Sequence, residues 1–295
     1  MKQIKIGTII GGETAPDMIR KLAPLGFECF QIHFWENAGS INVTEFFKKI
    51  KDAADETKTE ISSTGIYGNP LDSGDRGTKI IADINNVIDN MNILGTDIFS
   101  GFTGRVVSRS IEDSLPVYKK VWGDIAKKAE SKGIRIAFEN CDMGGNWNTG
   151  DFNIAYSPVI WEMMFNELNM ENIGLEWEPC HQLMQLTDPI PQLRKWVNKI
   201  FHVHGKDATI AWDVIREYGI NTNKRWGWNR TPGFGDSNWA DIITILMMNG
   251  YCGSIDIEGY HDPVYKNELE WNGQVTALEY LKKCRGGDII DIDKL

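Results

Sequence analysis

Apolar residues along this chain alternate between two spacings. Short runs rich in β-branched and aromatic residues, bounded by Gly, Pro, Asn or Asp, read as strands over residues 4–11, 27–34, 59–67, 96–104, 135–142, 173–183, 200–207 and 253–262. Between them, apolar positions recur at helical spacing. One such stretch is 16–25; another is 43–58, with Phe46, Phe47, Ile50 and Ala54 on one side. Residues 79–94 carry Ile80, Ile81, Ile84, Val87, Ile88 and Met91, a stripe suited to packing on a sheet. Ser110 and Asp113 resemble a capping box that opens a helix running to Ala129. Further helices fit 158–168, 190–198, 239–248 and 274–283. Gly26, Gly95, Gly133 and Gly250 each stand between a helix and the next strand, where a left-handed cap is expected.

Eight β units alternating with α units predict one α/β domain over residues 1–295, a (β/α)8 TIM barrel. A doubly wound open sheet would show the same alternation. However, Gly11-Gly12-Glu13 is not a dinucleotide-binding glycine pattern, and polar residues close many strands rather than gathering at one switch point. Two connections are long. Residues 141–157 hold Met143-Gly-Gly-Asn-Trp-Asn-Thr-Gly, and 208–238 hold a short helix followed by Lys224-Arg-Trp-Gly-Trp-Asn-Arg-Thr-Pro-Gly-Phe-Gly-Asp. Long loops after barrel strands line or cover the site.

Charge narrows the class of partner. The net charge of -10 repels a phosphate backbone, so no nucleic-acid partner is expected. Lys48, Lys49 and Lys51, and likewise Lys127 and Lys128, sit in helix-like stretches with acidic neighbours and read as solvated faces. The five cysteines have no CxxC spacing, which argues against a disulfide framework or structural zinc and suits a reducing compartment. The first ten residues carry an apolar run broken by Lys5 and read as a strand rather than a signal peptide. No stretch is apolar for long enough to span a membrane, and a cytoplasmic location is expected.

The chemistry is concentrated at strand ends. Glu139, Glu178, His204 and Glu258 each close a different apolar segment. In a barrel of parallel strands those ends converge, and three carboxylates with one imidazole would bind a divalent metal and leave room for substrate. The two-residue period of a strand then places Glu176, His202 and Asp256 one layer below Glu178, His204 and Glu258, and Gln31 below His33. Trp177, Val203 and Ile257 face the helices instead. Buried charges need partners, so the lower row is expected to orient the upper one by hydrogen bonds.

Several motifs carry a family resemblance: Ile136-Ala-Phe-Glu-Asn, Gly174-Leu-Glu-Trp-Glu-Pro-Cys-His, His202-Val-His-Gly-Lys-Asp, Pro232-Gly-Phe-Gly-Asp-Ser-Asn-Trp and Gly250-Tyr-Cys-Gly-Ser-Ile-Asp-Ile-Glu. Together they resemble the xylose isomerase-like TIM-barrel superfamily, which includes sugar phosphate isomerases/epimerases, ketose 3-epimerases, inosose dehydratases and endonuclease IV. The motifs run from strand five to strand eight, and the layout matches over the whole chain. They are specific for the superfamily and weak for any one activity. The resemblance implies that Glu139, Glu178, His204 and Glu258 are the metal ligands. It also implies that His181 contacts substrate near the metal and that Arg230 holds substrate oxygens. The family usually has Asp where Glu178 stands; Glu is a methylene longer and still able to ligate, and Glu176 is the fallback.

This donor set suits Mn²⁺ first, with Mg²⁺, Co²⁺ or Zn²⁺ as alternatives. A metal holding a sugar carbonyl and its neighbouring hydroxyl would acidify the proton next to the carbonyl. Transfer of that proton by Glu139, Glu258 or His181 would give isomerisation or epimerisation through an enediolate. His33, Trp35, Lys206 and Trp147 are further substrate-binding candidates, the aromatic faces suiting sugar C–H surfaces.

The main alternative is a metal-dependent lyase or dehydratase acting on a keto-sugar or inosose, which shares the first proton abstraction and then expels a β-hydroxyl. An endonuclease IV-like repair enzyme would need extra histidines on strands three and four. Segments 59–67 and 96–104 contain none, and the chain has only five. A non-catalytic sugar-binding barrel would not need the full ligand set. The expected partner is a small sugar or keto-sugar without phosphate, since Gly68 and Gly104 with Arg105 only suggest a phosphate cradle. Homo-oligomers are common among such barrels, but no segment marks an interface.

Overall fold

The computed structural model describes residues 3–290. Ten strands occur among them: β1 (Lys5–Gly11), β2 (Cys29–Trp35), β3 (Glu60–Tyr67), β4 (Ile98–Gly101), β5 (Arg135–Glu139), β6 (Ile173–Trp177), β7 (Ile200–Gly205), β8 (Asp207–Ile210), β9 (Gly227–Arg230) and β10 (Ser254–Ile257). Eight of them close into a barrel in the order β1-β10-β7-β6-β5-β4-β3-β2, while β8 and β9 form a separate two-stranded sheet. The α-helices are α1 (Ala15–Leu22), α2 (Val43–Thr57), α3 (Asp75–Leu94), α4 (Ile111–Ser131), α5 (Pro158–Glu167), α6 (Pro179–Met184), α7 (Pro189–Trp196), α8 (Trp212–Tyr218), α9 (Trp239–Met248) and α10 (Glu270–Cys284). The expected alternation and the (β/α)8 fold class hold. Met1 and Lys2, part of the segment expected as the first strand, lie outside the described residues.

Local chemistry sets the helix ends. The Ser110 side chain accepts from the Asp113 amide and opens α4, as the capping pattern predicts. Asn42 does the same for α2 through the Glu45 amide, and Asn238 for α9 through the Asp241 amide. α3 ends on Gly95 at φ +77°, a left-handed position that a residue without Cβ adopts at no steric cost.

Cα packing divides the chain into two compact units. The first comprises the start of β1, residues 178–197 and everything from His204 onward. In it β1 pairs in parallel with β10, from Lys5 opposite Ser254 to Thr8 opposite Ile257. α9 packs against α7 and α10, burying Trp239, Ile242, Leu246, Leu278 and Leu281. The second unit comprises residues 9–177 and 198–203 and holds β2 to β6 with α1 to α5. Its core includes Phe99, Trp122 and Phe138, with Trp122 and Phe138 in an edge contact at 4.6 Å. Gly65 in β3 is obligatory: a Cβ there would lie 2.1 Å from the Ser100 carbonyl oxygen of β4.

Several boundaries differ from the sequence reading; the fifth segment already ends at Glu139 and the eighth at Ile257. The sixth strand stops at Trp177 rather than residue 183, because Pro179 opens α6 at a position where its missing N–H costs nothing. The fourth stops at Gly101 rather than residue 104, where φ turns to +156°. Segment 200–207 divides between β7 and β8. The long loop after it contains the expected short helix, α8. It also contains a hairpin that was not expected, with Asp207 opposite Arg230 and Ile210 opposite Gly227.

Candidate active site

The first unit gathers a dense group of charges. Glu178 is the extended residue at the N-cap position of α6, though its side chain does not cap the helix; Pro179 turns the chain directly behind it. His204 lies near the end of β7, and Glu258 directly follows β10. One donor atom from each of Glu178, His204 and Glu258 lies within 4.8 Å of the others, and all three residues are enclosed. Lys206 Nζ is 2.6 Å from Glu258 Oε1 and 4.0 Å from Glu178 Oε2. His204 Nδ1 faces Glu258 Oε2 at 3.4 Å, and His181 Nε2 stands 2.5 Å from Glu178 Oε1.

Burial by itself would raise the Glu258 carboxyl, but Lys206 and then His204 outweigh it and hold the group well below the usual carboxylate range. Glu178 is likewise pushed up by burial and brought below its ordinary value by His181 and Lys206. Both are therefore ionised at neutral pH, and two oxygen donors with one imidazole nitrogen are the donor types that Mn²⁺ and Mg²⁺ accept. The sequence had marked Lys206 as a substrate contact; here its ammonium is engaged with Glu258. His261, which sequence reasoning passed over, comes within 3.9 Å of Glu258 Oε1.

Arg230, at the end of β9, is held by its neighbours. Its Nε donates to Asp262 Oδ2 at 3.1 Å. The same carboxylate accepts the amides of Thr231, Val264 and Tyr265 at 2.8–2.9 Å. Asp262 thus ties the loop after β10 to the loop after β9, a role that no local pattern announces.

In the second unit Glu139 is the last residue of β5, 6% exposed, and sits opposite Glu176 in the β5–β6 register. Glu176 is the centre of a closed network. It accepts from Gln31 Nε2 at 2.6 Å, Tyr67 OH at 2.5 Å and His202 Nδ1 at 2.8 Å. The expectation that Glu176, His202 and Gln31 share a buried layer is met, with Tyr67 added. Asp256 accepts from Ser254 Oγ at 3.1 Å. Burial, then Glu176 and Glu139, push the Tyr67 phenol well above its ordinary value, so it serves as a hydrogen-bond donor.

The ends of β2, β3 and β4 carry an aromatic cluster. His33 packs on Tyr67 in a tilted contact at 4.4 Å, and Tyr67 and Trp35 both meet Phe102 edge-on, at 5.4 and 6.3 Å. Trp35 is 53% exposed and offers an open face. Trp147, in the 141–157 loop, is less available: its indole donates to Glu112 Oε1 at 2.8 Å.

The family model of the xylose isomerase-like TIM barrel matches residues 19–284, and the chain belongs to that family. Among curated proteins, it is 24% identical to the uncharacterized protein YfiH of Bacillus subtilis, over 96% of this chain and 99% of that one. It is 26% identical to the inosose dehydratase of Clostridium tetani, but that match spans only 59% of this chain and 58% of the dehydratase. Among solved structures, the 3-keto-D-glucoside 4-epimerase YcjR of E. coli superposes with a TM-score of 0.71 at 16% identity, over 96% of this chain and all of that one; at this identity the likeness establishes the fold alone. Enzymes of both kinds, epimerases and dehydratases, therefore lie nearby. Among the described residues no helix is long and apolar enough to cross a membrane.

Proposed function

We propose that this chain, acting as one domain over residues 1–295, is a divalent-metal-dependent isomerase or epimerase of a sugar or keto-sugar that works by removing a proton next to a carbonyl. The observation that carries this reading is the enclosed trio of Glu178, His204 and Glu258, with donor atoms within 4.8 Å of one another. Glu139 is the proposed fourth ligand. It is nearly buried at the end of β5 and offers a carboxylate of the type a divalent cation takes. Mn²⁺ is the first choice. A bound cation would supply Lewis acidity at the substrate carbonyl and its neighbouring hydroxyl.

The side chains divide the remaining work. Glu139 and Glu258 are the candidates to accept the proton, and His181, 2.5 Å from Glu178, is the reserve acid or base. Lys206 keeps the Glu258 carboxylate ionised and stands ready to donate to a substrate oxygen. Arg230, fixed by Asp262, binds substrate hydroxyls. His33 and the open face of Trp35 take the sugar's C–H side, with Trp147 of the 141–157 loop as a further aromatic contact.

The similarity to an inosose dehydratase favours a second reading, loss of water after the same proton abstraction. Elemental analysis of the purified chain tests the metal: about one Mn, Mg, Co or Zn per chain is expected, and none after soaking would sink the reading. Incubation with ketoses and inososes in D₂O then separates the two reactions. Deuterium at a retained carbon marks the epimerase, and formation of an unsaturated ketone marks the lyase.

A further inference from the structure

The loop that follows β5 returns to the strand it left. Asn153, 14 residues after Glu139, is buried, and its Nδ2 donates to the Glu139 carbonyl at 2.8 Å and to the Cys141 carbonyl at 2.7 Å. Its Oδ1 accepts from the Thr103 amide at 3.1 Å and from the Thr103 hydroxyl. That hydroxyl oxygen accepts in turn from the Ile154 amide at 3.1 Å. Both donor hydrogens of the amide are spent on carbonyls at the end of β5, while its oxygen serves Thr103 after β4 and, at 3.3 Å, the Ala155 amide.

Glu139 is where strand pairing stops, the last β5 residue with a partner in β6. There its buried carbonyl takes a side-chain donor. Asn153 supplies it, and so fixes the peptide plane that carries Glu139 out of the strand.

A second buried asparagine makes a useful contrast. Asn69 Nδ2 donates to the carbonyls of Arg105 and Asp151, at 2.7 and 2.8 Å, and its Oδ1 accepts from the amides of Arg105 and Leu71. It braces the same group of loops through backbone groups other than those of Glu139.

We infer that Asn153 is a positioning residue for metal binding: by holding the Glu139 backbone it presents the carboxylate in its ligating orientation. The inference rests on the reading of Glu139 as a ligand. A side chain that acts only on the fold would lower stability wherever it is removed. A side chain that acts through Glu139 loses its effect on the metal once Glu139 can no longer ligate.

The test is Mn²⁺ affinity of the full chain, read by titration calorimetry or by the electron spin resonance of free Mn²⁺, beside the melting temperature of the metal-free protein. Asn153→Ala is expected to weaken Mn²⁺ binding by about 10–100-fold, the usual cost of losing a group that orients a ligand. In a Glu139→Gln background the same change should add no more than about twofold, since coupled residues do not add. Asn69→Ala is expected to lower the melting temperature while leaving Mn²⁺ affinity within about twofold. Where Asn153→Ala does not fold, Thr103→Val loosens the same amide from its far side and should cost affinity in the same direction. Unchanged affinity in a folded Asn153→Ala protein overturns the inference, as does an equal loss in the Glu139→Gln background. A wild-type chain that binds no Mn²⁺ overturns the metal reading itself, and that failure is told apart because it precedes any substitution.

Discussion

Glu176 and Glu258 are both enclosed carboxylates, and they are satisfied in opposite ways. Glu176 is surrounded by hydrogen-bond donors of fixed position: Gln31, Tyr67 and His202 divide its two oxygens among them. Glu258 is surrounded by charge, with an ammonium at 2.6 Å, an imidazole at 3.4 Å and the carboxylate of Glu178 close by. The first arrangement engages both carboxylate oxygens with fixed donors, and a satisfied buried network of this kind rigidifies a core. The second groups titratable residues whose properties depend on one another, the usual mark of a site where chemistry happens. One carboxylate reads as structure and the other as function, although each lies in or directly after a barrel strand.

That contrast can be broken most forcefully at Glu176. Glu176→Ala leaves three buried donors without their acceptor, and is expected to cost about 3–5 kcal/mol of stability in denaturant unfolding. A loss below about 1 kcal/mol would mean that the network is not structural. His204→Ala should do the reverse, lowering Mn²⁺ affinity by more than the roughly 100-fold typical of outer partners, with little change in the melting temperature of the metal-free chain. Equal affinity in the two proteins would remove His204 from the site. Tyr67→Phe takes one donor from Glu176 and is expected to cost about 1–3 kcal/mol without altering Mn²⁺ affinity.

Acid sharpens the same comparison at Asp262. Burial raises that carboxyl, but the amides of Thr231, Tyr265 and Val264, with Arg230, bring it below its ordinary value. Its folded value therefore lies below its unfolded one, near 3.9, so its stabilisation is complete above about pH 5 and is lost as the pH falls through the folded value. Asp262→Asn should melt earlier than wild type at pH 7, and the gap should close in acid. A gap independent of pH would show that the carboxylate charge is not what holds the loops. The smallest effect is expected at Trp35: Trp35→Ala should raise KM for the active sugar by about tenfold or less, with kcat held, as loss of one stacking face implies.

Much of this was legible beforehand because it is local. The two-residue strand period put Glu176 and His202 in one layer, and they meet at 2.8 Å. The polar residue closing each apolar run marked Glu178, His204 and Glu258, which the fold brings together. What escaped notice was what a single segment does not encode. Asp207–Ile210 and Gly227–Arg230 pair only because the chain between them, α8 included, folds back. Asn153 was one polar residue in a loop of many, and nothing around it announced that it would hold the Glu139 carbonyl.

The sequence by itself determined the alternation of strand and helix, the caps that end the helices and the polar residues that close the strands, since each follows from the conformational preferences of a few neighbouring residues. Tertiary structure alone decided the partners. Tyr67 meets Glu176 across 109 positions, Gln31 reaches the same carboxylate across 145, and Lys206 finds Glu258 across 52. Such pairings depend on how the strands are ordered around the barrel and on which side chains the packing brings within reach. Once water is excluded, a buried charge is tolerable only where the whole fold has placed its partner.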